Sequence, residues 1–559
     1  MIRRSIVAAA SLAAVVVGGC SSPPPTTTVT TDTACDSATT VAIDLPVGGS
    51  RIVDAIHDGH CILLPGSASA QEYVVVAYAG QGDATTDGVS DRYALQGNPA
   101  GASSVVLARQ GRAFRAPYGG IAAARFDSRR RADARTLAQS PSLHPSALLH
   151  RSVTPVPVVG AKDSFFVCAT LDCNGFNRIG ATVVYAGQSG IIYVDDHQLT
   201  GADSLTNADI VQLGTVFDQY LYPTDTVSFG RESDINGDGR VDILITPAVN
   251  GLTPDCSDGR VIGYFLANDL VPGNLGSNAR EMFYAFTTAP ATLDCTAVDR
   301  SRALTELPPT LIHEFQHMIS FNQHVLLRGG SDQVEWLNEG LSHFAEELGA
   351  RVVPDAACPA APDCFAEFAN DNLLNAFSYL SNPEATFLAV PADTSPGLPE
   401  RGAAWLMIRW LADHYSADTL LGTALTRNLE MSTTVGADRI AQTTGVDFAT
   451  LVGNWQLANW LDNLPGFPQT GLLNYRSWNF RDVFAAGYPS VFDAPYPLVP
   501  DIATGTYART GTLRAGSGVT VRFQLPAGSP AVPVRLAASL GGATIDGLLL
   551  PRFAVVRTQ

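Results

Sequence analysis

Charge is scarce in this chain, and basic charge is scarcer still. Only 16% of the 559 residues are Asp, Glu, Lys or Arg, and 53 acidic residues outweigh 35 basic ones, for a formal charge of −18. Phosphate contacts need clustered Lys and Arg, so this balance argues against nucleic-acid binding. Against the thin charge stand 46% hydrophobic residues, enough for a sizeable core and too many for general disorder. The length leaves room for about two to four domains. Internal repeats are not apparent. C-x-x-C spacing is missing as well, which argues against a cysteine-rich metal site. The N-terminal apolar run, Ile6 to Val17, is too short to span a bilayer comfortably, and behind Arg3-Arg4 it reads as a signal-peptide core.

The residues at the end of that run are more specific. Val17-Gly18-Gly19-Cys20 resembles the lipobox of bacterial lipoproteins, which implies removal of residues 1–19 and lipidation of Cys20. An ordinary cleaved signal with Cys20 incidental is the alternative. The Pro/Thr-rich stretch over residues 20–34 cannot bury a core and reads as a tether. These features predict an exported protein, lipid-anchored at the cell envelope on the outer membrane or cell surface, with the membrane as partner through Cys20. The remaining eight cysteines fall into near neighbours, Cys35 with Cys61, Cys168 with Cys173, Cys256 with Cys295 and Cys358 with Cys364. In an exported chain this even number predicts four local disulfides.

Short alternating strands with Gly and Asp turns over residues 35–112 predict an N-terminal β-sandwich-like domain. Residues 113–158, with the basic run "DSRRRADAR", read as a linker with a solvated helix; a processing site or docking patch is the other reading. The main domain is expected over 159–489, and a short C-terminal β module over 490–559. Within the main domain, Asp234, Asn236, Asp238 and Asp242 occupy positions 1, 3, 5 and 9 of an EF-hand-like loop, with Gly239 at position 6. Position 12 is Ile245 rather than a bidentate Glu. Calcium is therefore one reading, and a tight turn launching a strand is the other.

The chemistry concentrates in "TLIHEFQHMISFNQH", Thr310 to His324. His313 and His317 are four residues apart, which on a helix puts both rings on one face, close enough to share an ion. Glu314 sits beside His313, where it can face a metal-bound water. Pro308 and Pro309 stand where a helix start tolerates proline. A catalytic zinc wants three protein ligands and one open position. His324 is one residue too late for the pattern that uses a third histidine, since Ser320 and Gln323 stand where Gly and His are needed, and it reads as a surface residue. A better third ligand lies in "VEWLNEGLSHFAEEL". There Glu339 sits among Trp336, Leu337, Leu341, Phe344 and Leu348, a packed face on which a lone carboxylate is expensive. Glu346 and Glu347 are the competing carboxylates, or a solvated face.

"HEFQH" followed by "WLNEGLSH" resembles the gluzincin zinc peptidases, and that resemblance implies Glu339 as the third zinc ligand. With "SDINGDGRVDILITP", "NAREMFY" and "GAAWLMIRWL", the stretch from Val159 to Leu464 looks like the hyicolysin family of secreted bacterial metallopeptidases. The resemblance implies a multidomain α+β protein with a zincin-like metallopeptidase core. A β-rich upper half, over Gly180–Phe286, would offer an edge strand to substrate, and a helical lower half would carry the metal. It implies one zinc per chain on His313, His317 and Glu339, Glu314 as general base, and protein or peptide as substrate. The family tends to carry a tyrosine just before Gly-Ala-Ala-Trp; here that position is Arg401, which can also donate to a developing negative charge. His343, Tyr379 and Tyr415 are the other candidates for that task. Two further readings stay open: an inactive lipid-anchored binding protein or adhesin, and a zinc hydrolase of a non-peptide envelope bond. A monomer is assumed, and nothing in the sequence speaks to assembly.

Overall fold

The computed structural model describes residues 35–559 apart from 37, 84–89, 99–120, 141–142, 144–153, 258, 361–362, 392–395 and 505. The signal, Cys20 and the tether lie outside the described residues. The chain is mixed α+β, and its four disulfides join Cys35 to Cys61, Cys168 to Cys173, Cys256 to Cys295 and Cys358 to Cys364. Among the described residues no helix is long and apolar enough to cross a membrane.

The first strands are β1 (Thr40–Ala42), β2 (Ser50–Asp54), β3 (Cys61–Leu64), β4 (Gln71–Ala79) and β5 (Ser90–Gly97), followed by helix α1 (Ile121–Ala138). The last are β12 (Asp501–Ala503), β13 (Tyr507–Arg514), β14 (Gly518–Leu525), β15 (Val532–Ala537) and β16 (Pro551–Arg557). Expected as two separate modules, these two groups interleave in one sandwich. Its sheets run β1-β3-β15-β5-β13 and β12-β14-β4-β16-β2. The reason is backbone hydrogen bonding. β4 has a partner on each side only when β14 and β16 are both present, and β15 alone joins β3 to β5. β4 is buried on both faces, which explains its unbroken run "YVVVAYA". Tyr73, Val75 and Ala77 point into the sandwich, while Val74, Val76 and Tyr78 face the rest of the protein.

Between the two groups lies the main body. Its six-stranded sheet uses β6 (Lys162–Cys168), β7 (Phe176–Ala186), β8 (Gly190–Asp195), β9 (Val241–Ile245), β10 (Gly263–Phe265) and β11 (Met282–Ala285). The order is β10-β11-β9-β8-β7-β6, which leaves β10 at an edge. Three helices are interspersed, α2 (Asn207–Val216), α3 (Tyr222–Ser228) and α4 (Pro247–Gly251). The loop before β9 closes on itself. Gly239 donates its N–H to Asp234 (3.0 Å), Arg240 donates its N–H to Asp238 (2.8 Å), and Asn236 donates to Asp238 (2.9 Å). Asp242 accepts instead from Arg280 at 3.1 Å. Among the described residues these four acidic and amide side chains are not one of the converging metal-ligand groups, so the loop gives calcium no support.

The helical half comes next: α5 (Arg300–Phe321), α6 (Glu335–Val352), α7 (Cys364–Ser381), α8 (Leu398–Tyr415), α9 (Thr423–Glu430), α10 (Gly436–Thr444), α11 (Phe448–Leu461) and α12 (Phe480–Gly487). Helix α5 does not begin at its prolines, as their position suggests. It begins at Arg300, where Asp299 caps it by accepting from the Arg302 N–H, and Pro308 and Pro309 lie inside it. Its buried face, from Leu311 through Ile319, carries it past the two missing donors. Gly402 lets α8 lie against α7, because a Cβ there would collide with the Asn375 carbonyl. The sandwich docks through Tyr78, whose hydroxyl donates to the Ala449 carbonyl at 2.8 Å.

Glu347, one of the two carboxylates that could have formed a solvated face, is fully buried at the centre of this half. It accepts from the indoles of Trp405 (2.9 Å) and Trp478 (2.8 Å), from Arg351, and from the equally buried Arg409 (3.2 Å). Removing it takes from Arg409 one of its two buried carboxylates, Asp413 at 3.0 Å being the other, and strands the indole donors of Trp405 and Trp478. Glu347→Ala is therefore expected to lower stability by about 3–5 kcal/mol. A urea titration that left the midpoint unchanged would show that the network carries no net weight.

Candidate metal centre

Helices α5 and α6 meet where His313, His317 and Glu339 converge. The two Nε2 atoms are 3.1 Å apart. Glu339 lies 3.7 Å from the first and 3.6 Å from the second. Each ring is held from behind. His313 Nδ1 donates to Glu346 at 2.7 Å, and His317 Nδ1 donates to the Asn338 side-chain oxygen at 2.9 Å. Fixing Nδ1 in this way turns both Nε2 lone pairs toward Glu339, the usual outer support of a metal-binding histidine.

The donor set fits a metal on one telling point. Glu339 is 1% exposed, and neither of its oxygens has a hydrogen-bond partner. Arg401 stands 3.4 Å away without donating a hydrogen bond to it, and a carboxylate left so short of donors is costly unless a further cation completes it. Two imidazoles and one carboxylate suit a transition metal such as zinc or iron(II) with an open position. His313, His343 and Glu346 form an overlapping group, but there Glu346 bridges the Nδ1 atoms of both rings, at 2.7 and 3.2 Å. That arrangement orients rings and is already satisfied. Cys358, Cys364 and Glu367 also cluster, and the two cysteines there are a disulfide.

These contacts bias the protonation of the three side chains. Burial disfavours charge on His313, yet the Glu346 hydrogen bond wins and pushes it up to about 9. Burial holds His317 well below its usual value, aided by Arg131 and His313. Burial also works to raise Glu339, but Arg401, His313 and Arg131 keep it below the ordinary carboxylate value.

Glu314 stands one residue from His313, on the floor of a cavity of about 380 Å³ that His313, His343, Glu346 and Arg401 also line. Its Oε2 accepts from the Phe265 N–H of edge strand β10 at 2.7 Å, and burial pushes its carboxyl up to about 7. Ile262 and Gly263 bring the start of β10 to the same cavity. His343 presents a buried Nε2 without a partner, its Nδ1 being occupied by Glu346. Arg401, in the first turns of α8, reaches Glu339 at 3.4 Å and Asp127 of α1 at 2.6 Å.

Other candidates lie elsewhere. Tyr379 is stacked on Trp455, with Gln456 donating to its hydroxyl at 3.2 Å, and Tyr415 packs beside Trp410. His324 is not a surface residue: it is fully buried and pairs with Glu430 at 3.0 Å, because the chain continues as a helical turn past Phe321 and carries it inward. Sequence reasoning assigned no role to Asn338 and treated Glu346 only as a rival ligand. Its spacing from Glu339, two helical turns, was the available sign that both share one face.

No family model matches the chain. Its sequence is similar to the neutral metalloprotease ShpI of Staphylococcus hyicus, with 27% identity over 186 residues, which is 33% of this chain and 39% of that protein. The matched stretch thus spans well under half of either protein.

Proposed function

We propose that this protein is a zinc endopeptidase with a zincin-like core, exported and lipid-anchored through Cys20. The observation that carries the reading is the convergence of His313, His317 and Glu339, whose buried oxygens accept no hydrogen bond, with Glu314 beside them on the cavity wall. Similarity to a neutral metalloprotease supports the same chemistry. Zinc, when bound, supplies Lewis acidity and lowers the pKa of its water toward about 7. Glu314 takes the proton of the attacking water and delivers it to the leaving amine. The Phe265 N–H holds its carboxylate in place meanwhile. His343 and Arg401 are the donors on the cavity wall for the negative charge that grows on the scissile carbonyl oxygen. The edge strand β10 offers backbone groups to an extended peptide, which would bind as an added strand.

The test is bound zinc measured beside cleavage of denatured casein, before and after 1,10-phenanthroline. About one zinc per chain, loss of cleavage with the metal and recovery on adding zinc back are expected. Bound zinc with no cleavage of any unfolded protein would leave a binding protein or a hydrolase of another bond. No zinc at all would remove the assignment.

A further inference from the structure

Helix α1 carries the basic run that reads, from sequence, as a solvated segment in a linker. It is arginine-rich, yet Phe126 is 1% exposed and Arg130 and Arg131 are 3% exposed. Its contacts reach both halves of the main body. On the β side, Phe126 packs edge-on to Tyr264 of β10 with ring centres 5.3 Å apart, and Arg130 donates to the Asp172 carbonyl at 3.0 Å. On the helical side, Asp127 accepts from Arg401 at 2.6 Å, Ser128 donates to Glu335, and Arg135 lies 3.6 Å from Glu335. Arg131 comes within 4.0 Å of Glu339. The helix thus bridges from the edge strand to the metal-ligating helix, and Ala123 and Asp127 form part of the cavity wall.

The groups α1 engages are those a substrate would need. Tyr264 belongs to the strand that would pair with peptide, and Arg401 is tied to Asp127 instead of facing a carbonyl oxygen. Arg131 sets a cation beside the carboxylate that a metal would share, and like charges there repel. Besides the apolar surface it buries through Phe126 and Ala134, α1 sends the buried Arg131 toward Glu339 and Arg135 toward Glu335, both carboxylates of α6.

We infer that α1 is an internal ligand of the cleft, which holds the site closed through Phe126 on Tyr264 and Asp127 on Arg401 and must leave before an extended peptide can enter. This rests on the endopeptidase reading. Substrate then binds only the open fraction of molecules, so the apparent affinity falls by that fraction.

The test compares the full exported chain with a Phe126→Ala/Asp127→Asn variant on a quenched fluorescent peptide. Zinc content and circular dichroism confirm that both are loaded and folded. Loosening α1 is expected to raise kcat/KM at least about tenfold. A synthetic peptide of residues 121–138 should return the variant to the wild-type rate, and the same peptide with Asp127→Asn should not. Independently of activity, brief trypsin treatment followed by mass spectrometry should cut after Arg130 and Arg131 quickly in the variant and slowly in the wild type. Should the double variant fail to fold, Arg135→Ser alters only a part-exposed contact and should raise the rate in the same direction. An unchanged or lower rate in the folded, zinc-loaded variant overturns the inference and makes α1 a fixed wall of the working site. If wild type and variant both hold zinc and neither cleaves, the peptidase reading fails, and the trypsin pattern still decides whether α1 is a removable occupant.

Discussion

Glu314→Gln is expected to keep its metal and to lose cleavage by about 10²- to 10⁴-fold, the usual contribution of a positioned general base. The substitution changes little but basicity. The Gln side-chain oxygen can still accept the Phe265 N–H, which is 2.7 Å from Glu314 Oε2 in the wild type, so the side chain keeps its place. It lies beside the proposed metal ligands without being one, so zinc stoichiometry should be unaltered. The pH dependence adds a second check. Burial pushes Glu314 up to about 7, and a divalent cation nearby would favour the carboxylate. The wild type should therefore lose activity below that value, as Glu314 takes up a proton and can no longer accept one from water. The variant should show no such acid limb. Equal rates for the two proteins would remove Glu314 from the chemistry.

The second large effect is on the metal itself. If His313, His317 and Glu339 hold zinc as proposed, Glu339→Ala removes one of three donors and should weaken zinc binding by more than the 10- to 100-fold typical of losing an outer support. Glu346 is such a support, holding His313 Nδ1 at 2.7 Å. Glu346→Gln is expected to fall within that 10- to 100-fold range, between wild type and Glu339→Ala. Titration against a competing chelator orders the three proteins. If Glu339→Ala binds as tightly as wild type, the ligand set is wrong, and the overlapping group of His313, His343 and Glu346 becomes the site to test.

Local pattern made much of this architecture legible. The four-residue spacing of His313 and His317 needs only a helix to become one face, and Leu311, Ile312, Phe315, Met318 and Ile319 supplied the apolar stripe that makes that helix pack. Neighbouring cysteines pointed to the four disulfides that the described residues contain. Glu339 was visible as a carboxylate on a packed face, and the structure places it 3.7 and 3.6 Å from the two histidine Nε2 atoms. What escaped depends on pairing across long stretches of chain. Tyr73 pairs with Arg557, and nothing in either strand's own residues says so. Helix α1 escaped for a different reason. A run of arginines looks solvated unless the carboxylates that receive it are known, and Glu335 and Glu339 lie about two hundred residues further on. Pro308 and Pro309 misled because proline marks a helix start more often than it sits inside one; the Asp299 cap overruled it here.

The interleaved sandwich has a consequence for a chain that is cut. β1 to β5 precede α1, while their partners β12 to β16 close the sequence, and none of the four disulfides crosses α1. A single break beside that helix would give two polypeptides with no covalent bond between them. They would nevertheless stay clasped, because β15 is laced between β3 and β5, and β4 between β14 and β16. Such a protein would run as two bands in detergent and travel as one particle in buffer. Whatever is fastened to the front piece would keep hold of the half that carries His313, His317 and Glu339.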